Sequence, residues 1–178
     1  MICIHTTLRN ISSPRQDLKF AQLKIYYQER GLELNKQFAN SLELLTPDGK
    51  FNYIAYLLAD ENGVSIKVAK YASSDKVDLI ENEEYGYCSL IKATYSVLEK
   101  LKIENVTYAK VTSTKRIEKN LVEPVAMREA IVNCIVHNDF THEIPSVFEI
   151  FNNRIGMTSY GGLIPDQSEE NFFSCSSM

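Results

Sequence analysis

The run Pro124-Val125-Ala126-Met127-Arg128-Glu129-Ala130-Ile131-Val132-Asn133-Cys134-Ile135-Val136-His137-Asn138 decides how this chain is read. Proline is tolerated at a helix start because the first-turn N–H has no intrahelical partner, so Pro124 opens a helix expected over Val125 to Asn138. At 3.6 residues per turn, Met127, Ile131, Cys134 and Ile135 line up as an apolar stripe. Glu129, Asn133 and His137, each four residues apart, form a polar stripe on another face. Such a helix needs a partner layer for its apolar side and leaves the polar side free for chemistry.

Downstream of it, Pro145 precedes a strand expected over Ser146 to Phe151. Asn152-Asn153 reads as a tight turn, and Arg154 to Ser159 as the returning arm of a hairpin. Tyr160-Gly161-Gly162 breaks that arm, and Ser174 to Met178 carries no structure signal. Arg154 is expected at the surface or in a cross-strand ion pair.

Upstream, Ser13-Pro14-Arg15-Gln16 has the form of a helix start, with Ser13 as cap and Gln16 in the capping-box position. Leu18, Ala21 and Ile25 continue at helical spacing up to Gly31, and Leu34, Phe38 and Leu42 suggest a second short helix. Pro47-Asp48-Gly49 is a turn, because proline presets one dihedral and glycine supplies a positive one. Phe51 to Ala59 is apolar without a period, so helix and buried strand stay open there. Asp60 to Gly63 reads as a turn. Val64, Ile66 and Val68 alternate onto one face of a strand reaching Tyr71. Residues 74–85 are charged and aperiodic, and are expected as an exposed loop. Leu90, Ala93, Val97 and Leu101 mark an amphipathic helix. Asn105 to Thr112 is expected as a strand and Lys115 to Asn120 as a connector. These elements imply an α+β protein, with helices packed on a mixed sheet.

Composition narrows the function classes. The chain has 178 residues, 44% hydrophobic and 24% charged, which suits one or two compact units able to bury a core without disulfides or a structural metal. Nineteen basic against twenty-three acidic residues give a net charge of −4, with no dominating basic patch, so this stretch is a poor main nucleic-acid surface. No apolar run approaches the roughly 18 residues of a membrane span, and no secretory signal is visible over Met1 to Ser12. A cytoplasmic protein without membrane contact is expected. Cys3, Cys88, Cys134 and Cys175 are scattered, and with His5, His137 and His142 they do not make the close ligand pairs of a zinc site. Four reduced thiols are expected.

Two features point to chemistry. A carboxylate and an amide one helical turn apart can serve a nucleotide: the Asn133 amide oxygen can ligate magnesium, while Glu129 orients or deprotonates a water aimed at a phosphate. The same pair also suits a plain solvated helix face. Gly161-Gly162 after the hairpin lets backbone approach a ligand without a Cβ in the way, and equally serves a simple turn. His137 reads as a helix-end histidine and Asp139 as a residue that helps end the helix.

Residues Arg128 to Phe140 resemble the REAxxNAxxHRDY signature of a group of bacterial and archaeal transcriptional regulators. Phe151 to Pro165, with Arg154-Ile155 and Gly161-Gly162-Leu163, resembles the same group's F-x-x-RIEIxSxGGLP block. Pro47 to Asn52, Leu57 to Asn62 and Ser65 to Ala69 resemble its middle region, so the likeness spans nearly the whole chain. This RecG-related group resembles a Schlafen-type AlbA domain followed by a middle region and a histidine-kinase-like (GHKL) ATPase domain. The resemblance implies a middle α+β domain over residues 1–120 and a partial GHKL helix-and-hairpin unit over 121–178. It further implies ATP and magnesium as ligands, Glu129 as general base, Asn133 as magnesium holder, and Ser159, Gly161 and Gly162 as the adenine-side box. No Walker A sequence is present, and GHKL folds bind nucleotide without one. The box aspartate is replaced here by Ser159 or Tyr160, and the lid and later glycine box lie beyond Met178. The expectation is therefore a nucleotide-binding regulatory module with little or no ATPase activity in this chain. DNA would be bound through a region outside it, and a homodimer is possible. The alternative is a non-enzymatic scaffold or dimerisation segment with a vestigial nucleotide site.

Overall fold

The structure is a computed structural model that describes residues 8–105, 107–111 and 116–161. Its centre is strand β1 (Ser65–Tyr71), which lies between β2 (Leu79–Gly86), antiparallel to it, and β5 (Ser146–Ile150), parallel to it. β6 (Ile155–Thr158) adds antiparallel to β5, completing a mixed sheet of order β2-β1-β5-β6. The expected alternation holds: Val64, Ile66 and Val68 are all buried. Val68 pairs with Phe148 of β5, so both side chains stand on the same face of the sheet.

Helices cover that face. α4 (Leu90–Glu104) contributes Ala93, Val97 and Leu101, and α5 (Pro124–Val136) contributes Met127, Ile131 and Ile135. Both sets join Ile66, Val68, Phe148 and Ile150 in one apolar cluster. The protein is α+β, helices on a mixed sheet, as its periodicities imply. The sheet and this cluster both run across the division expected at residue 120, since β1 and α4 lie on one side of it and α5 and β5 on the other.

A smaller cluster sits under the N-terminal half, where Phe20, Leu23, Leu44, Ala55 and Ala59 meet. The aperiodic stretch after Gly49 resolves as helix α3 (Tyr53–Leu58), and its cap decides the matter. The buried Asn52 side chain accepts from Ala55 N at 3.0 Å and donates to the Glu43 carbonyl at 2.8 Å. The turn at Pro47-Asp48-Gly49 forms as expected, with Gly49 at φ +74 and its N–H donated to Thr46 O at 2.9 Å.

Several expectations are corrected. No helix starts at Ser13: Ser13 N donates to Phe51 O at 2.8 Å, and Gln16 accepts from Phe51 N at 2.8 Å, which ties this segment to the stretch just before α3. The helix begins later, as α1 (Ala21–Gln28), where the Asp60 carboxylate accepts from Ala21 N and Gln22 N, each at 2.8 Å. A tertiary carboxylate caps it, not a local one. The second helix is a single turn, α2 (Phe38–Ser41).

The expected loop at residues 74–85 contains most of β2. Glu81 and Glu83 pair with Lys70 and Val68, so these glutamates point to the helix-covered face and meet Lys100 of α4 there. An edge strand with inward charges has no hydrophobic alternation to read. The expected connector after Lys115 is strand β4 (Arg116–Asn120), antiparallel to β3 (Thr107–Val111). The base of this hairpin is closed by the Asn105 amide, which donates to Val122 O at 2.8 Å and accepts from Val122 N at 3.0 Å. Arg154 is exposed, one of the two placements expected for it, and its guanidinium lies 3.9 Å above the Phe151 ring.

Among the described residues no helix is long and apolar enough to cross a membrane. Cys88 and Cys134 are free and half-buried, and burial pushes both thiols up. Cys3, Cys175 and His5 lie outside the described residues.

Candidate functional site at the exposed face of α5

α5 forms where the sequence predicts it, and its ends explain its position. The Glu123 side chain caps the N-terminus by accepting from Ala126 N at 2.7 Å, with Pro124 in the first turn. The helix closes at His137, whose N–H donates to Asn133 O at 3.0 Å. With Met127, Ile131 and Ile135 buried, the polar stripe is left outward. Glu129, Asn133 and His137 are all exposed. Glu129 pairs at 3.3 Å with its neighbour Arg128, itself exposed. Among the described residues the Asn133 side chain has no hydrogen-bond partner, so its amide oxygen is available.

The residue that joins this helix to the glycine segment is Asn138. Only 4% exposed, it donates to Ile144 O at 2.9 Å and accepts from Tyr160 N at 2.9 Å. Next to it, Asp139 N donates to Tyr160 O at 2.6 Å. The chain leaving β6 is thus held against the C-terminal end of α5. Gly161 lies so near that a Cβ there would collide with the His137 carbonyl oxygen. The close approach expected of this glycine is therefore made to the helix end. Gly162 lies outside the described residues. Ser159 and Tyr160 are exposed beside the junction.

Asn138 was legible only as the last residue of the expected helix; its role depends on Ile144 and Tyr160, which its local sequence does not reveal. Asp139 is structural, but at the start of the turn that follows α5 and not at the helix end itself. Its carboxylate accepts from Thr141 N and Thr141 Oγ1 at 2.9 and 2.6 Å, capping the 3-10 turn Phe140–His142. The hydroxyl of Thr141, with burial opposing it, holds the Asp139 carboxyl below its ordinary value, and His142 adds to this.

No group of three or more His, Cys, Asp or Glu able to hold a metal occurs among the described residues. Asn133 alone offers one neutral oxygen. That suits magnesium arriving with a nucleotide, because this ion keeps waters and phosphate oxygens as most of its ligands. The stripe can thus offer a carboxylate and an amide, about 6 Å apart along the helix axis, to a ligand lying across it. The backbone of residues 160–161 lies at the C-terminal end of this stripe, against Asn138, Asp139 and the His137 carbonyl.

No protein-family model matches the chain, and no curated protein matches it. Among solved structures, it is similar to the DIP2311 protein from Corynebacterium diphtheriae at 16% sequence identity and a TM-score of 0.72. The likeness covers 95% of this chain and 36% of that one, so the chain spans about a third of the relative's length, and what the two share is the fold.

Proposed function

We propose that this chain is a nucleotide-binding regulatory module of a larger, cytoplasmic, GHKL-containing transcriptional regulator. In this reading Asn133 holds the magnesium of a bound ATP, Glu129 faces the phosphates, and the backbone at Gly161 and Gly162 borders the base. DNA contact belongs to a region outside this chain. One observation carries the proposal. The α5 polar stripe is exposed along its length and lies beside the post-β6 backbone that Asn138 and Gly161 hold to the same helix. The missing box aspartate argues for weak binding and for hydrolysis no faster than background.

The test is thermal unfolding with and without magnesium-ATP. A ligand that binds only the native state at about 100 times its dissociation constant adds about 2.7 kcal/mol, and the weak site proposed here gives a smaller, magnesium-dependent shift. Asn133→Ala removes the magnesium-dependent part. Glu129→Gln leaves it, since a base matters to a chemical step and little to ground-state affinity. No shift under any condition favours the scaffold or dimerisation reading instead.

A further inference from the structure

α4 carries two stripes. Ala93, Val97 and Leu101 face the core. Ile91, Tyr95, Leu98 and Lys102, spaced by four, three and four residues, make a second stripe about 16 Å long on another side. Three adjoining hollows of about 390, 560 and 480 Å³ follow it. α1 walls the first, α1 and α5 the second, and α5 the third, and Tyr95 lines all three, so they form one trough. Ile25, Tyr95 and Val136 are large apolar side chains left exposed along it.

The charge of the trough is opposite to that of the chain. Arg30, Lys92, Lys102 and Arg128 line it against Glu29 and Glu99, on a chain of net charge −4. Glu99 is offset by Lys102 at 3.6 Å, and Arg128 has its neighbour Glu129 in a well-solvated pair that contributes little. Arg30 and Lys92 pair with no carboxylate among the described residues. Arg30 is fixed by aromatic groups instead, 3.6 Å over the Tyr26 ring and donating to the Tyr95 hydroxyl. A cation is thus held ready beside the middle of an apolar floor.

We propose that the trough is the docking surface for an acidic amphipathic helix of a partner protein. The helix is about three turns long, with its apolar side chains over Tyr95 between α1 and α5 and its carboxylates toward Arg30, Lys92 and Arg128. Charge carries the choice of partner: a neutral or basic helix would cover Arg30 without a counter-charge, whereas an acidic one supplies it. Length and floor carry the choice of a helix, since a groove-bound helix presents apolar anchors at i, i+4 and i+7, and Ile91, Tyr95 and Leu98 offer that same spacing. Tyrosine and arginine are also the residue types on which binding energy concentrates. The nucleotide reading does not enter, because Glu129, Asn133 and His137 do not line the trough.

The experiment is methyl-resolved NMR of the full chain, titrated with two three-turn model helices that share a leucine face. One is flanked by glutamates and the other by lysines. The glutamate helix is expected to shift the methyls of Ile25, Ile91, Leu98 and Val132 and to leave Val68 unmoved. It should bind at least about tenfold more tightly than the lysine helix, with the advantage shrinking as salt rises. Tyr95→Ala should weaken both. Arg30→Glu/Lys92→Glu, which breaks no ion pair among the described residues, should reverse the preference. Equal binding of the two helices, no shift with either, or shifts outside the trough would overturn the proposal. Methyl shifts that follow protein concentration with no peptide present would overturn it in favour of a second copy of the chain.

Discussion

α4 and α5 lie side by side on the same sheet face and bury the same kind of stripe, yet they use their remaining surfaces differently. Two α4 charges, Lys100 and Glu104, are engaged by neighbouring strands. Lys100 reaches Glu81 and Glu83 on β2 and Glu104 on its own helix, and Glu104 also pairs with Lys70 of β1 at 2.8 Å. The bond to Glu81 raises the Lys100 ammonium well above its ordinary range against the cost of burial, and Glu83 and Glu104 reinforce it. On α5, Glu129 has a sequence neighbour as its partner and Asn133 has none described. Polar groups tied to other elements hold a fold together; polar groups left facing solvent along one stripe are available to a ligand. The difference is one of partnering, since both helices are equally well anchored.

The largest effects should fall on the anchoring stripes, where the two helices are alike. Leu101→Ala and Ile131→Ala each remove a fully buried side chain, and each should cost about 2–5 kcal/mol in denaturant unfolding. A cost for Ile131→Ala below 1 kcal/mol would separate α5 from the core and break the comparison. Next comes the α4 charge centre. Lys100→Ala should cost roughly 1.5–3 kcal/mol, the range for hydrogen bonds to charged groups, and should speed amide exchange in β2 before β5.

Asn138→Ala should cost about 1–3 kcal/mol, because it strips buried partners from Tyr160 N and Ile144 O. Exchange at Tyr160 should rise with it; an unchanged rate would detach the glycine segment from α5.

Tyr53 of α3, a member of the main apolar cluster, ties that helix to the turn after α5 by donating to Phe140 O at 2.7 Å, and burial pushes its hydroxyl up to about 12. A folded-state value above the unfolded value of about 10 gives stability that is complete below pH 10 and lost as pH rises toward 12. Tyr85 is likewise pushed up to about 12 by burial, with Glu83 second. Tyr53→Phe should therefore reduce, without abolishing, the alkaline fall in unfolding midpoint. An identical fall in the variant would leave Tyr53 with no share in it.

The smallest effects belong to the exposed stripe. Glu129→Gln and Asn133→Ala should each change stability by no more than about 0.5 kcal/mol, as surface substitutions do. A loss above 1 kcal/mol in either would make the stripe structural and remove the ground for assigning it to a nucleotide.

Much of the fold was legible because its signals are local. The 3.6-residue periods of α4 and α5, the alternation of β1 and the turn at Gly49 each lie within a few adjacent residues, and each formed where expected. What was missed involves partners distant in sequence. β2 reads as charged loop until Lys100 stands opposite Glu81 and Glu83. α1 reads as capped at Ser13 until Asp60 takes its first N–H groups. The candidate site divides in the same way, since the spacing of Glu129, Asn133 and His137 is visible in the chain while Asn138's hold on Tyr160 is not.

The sequence by itself thus determined the α+β class, the helices that carry the core and the residues along the polar face of α5. Hydrophobic periodicity sets which face must be buried, and that follows from 3.6 or 2 residues per repeat alone. The tertiary structure decided the strand order β2-β1-β5-β6, the place of the charged edge strand and the seating of Gly161 on His137. Those depend on which distant groups satisfy the backbone donors and acceptors that no local partner serves, and on charges that are neutralised only when remote segments meet.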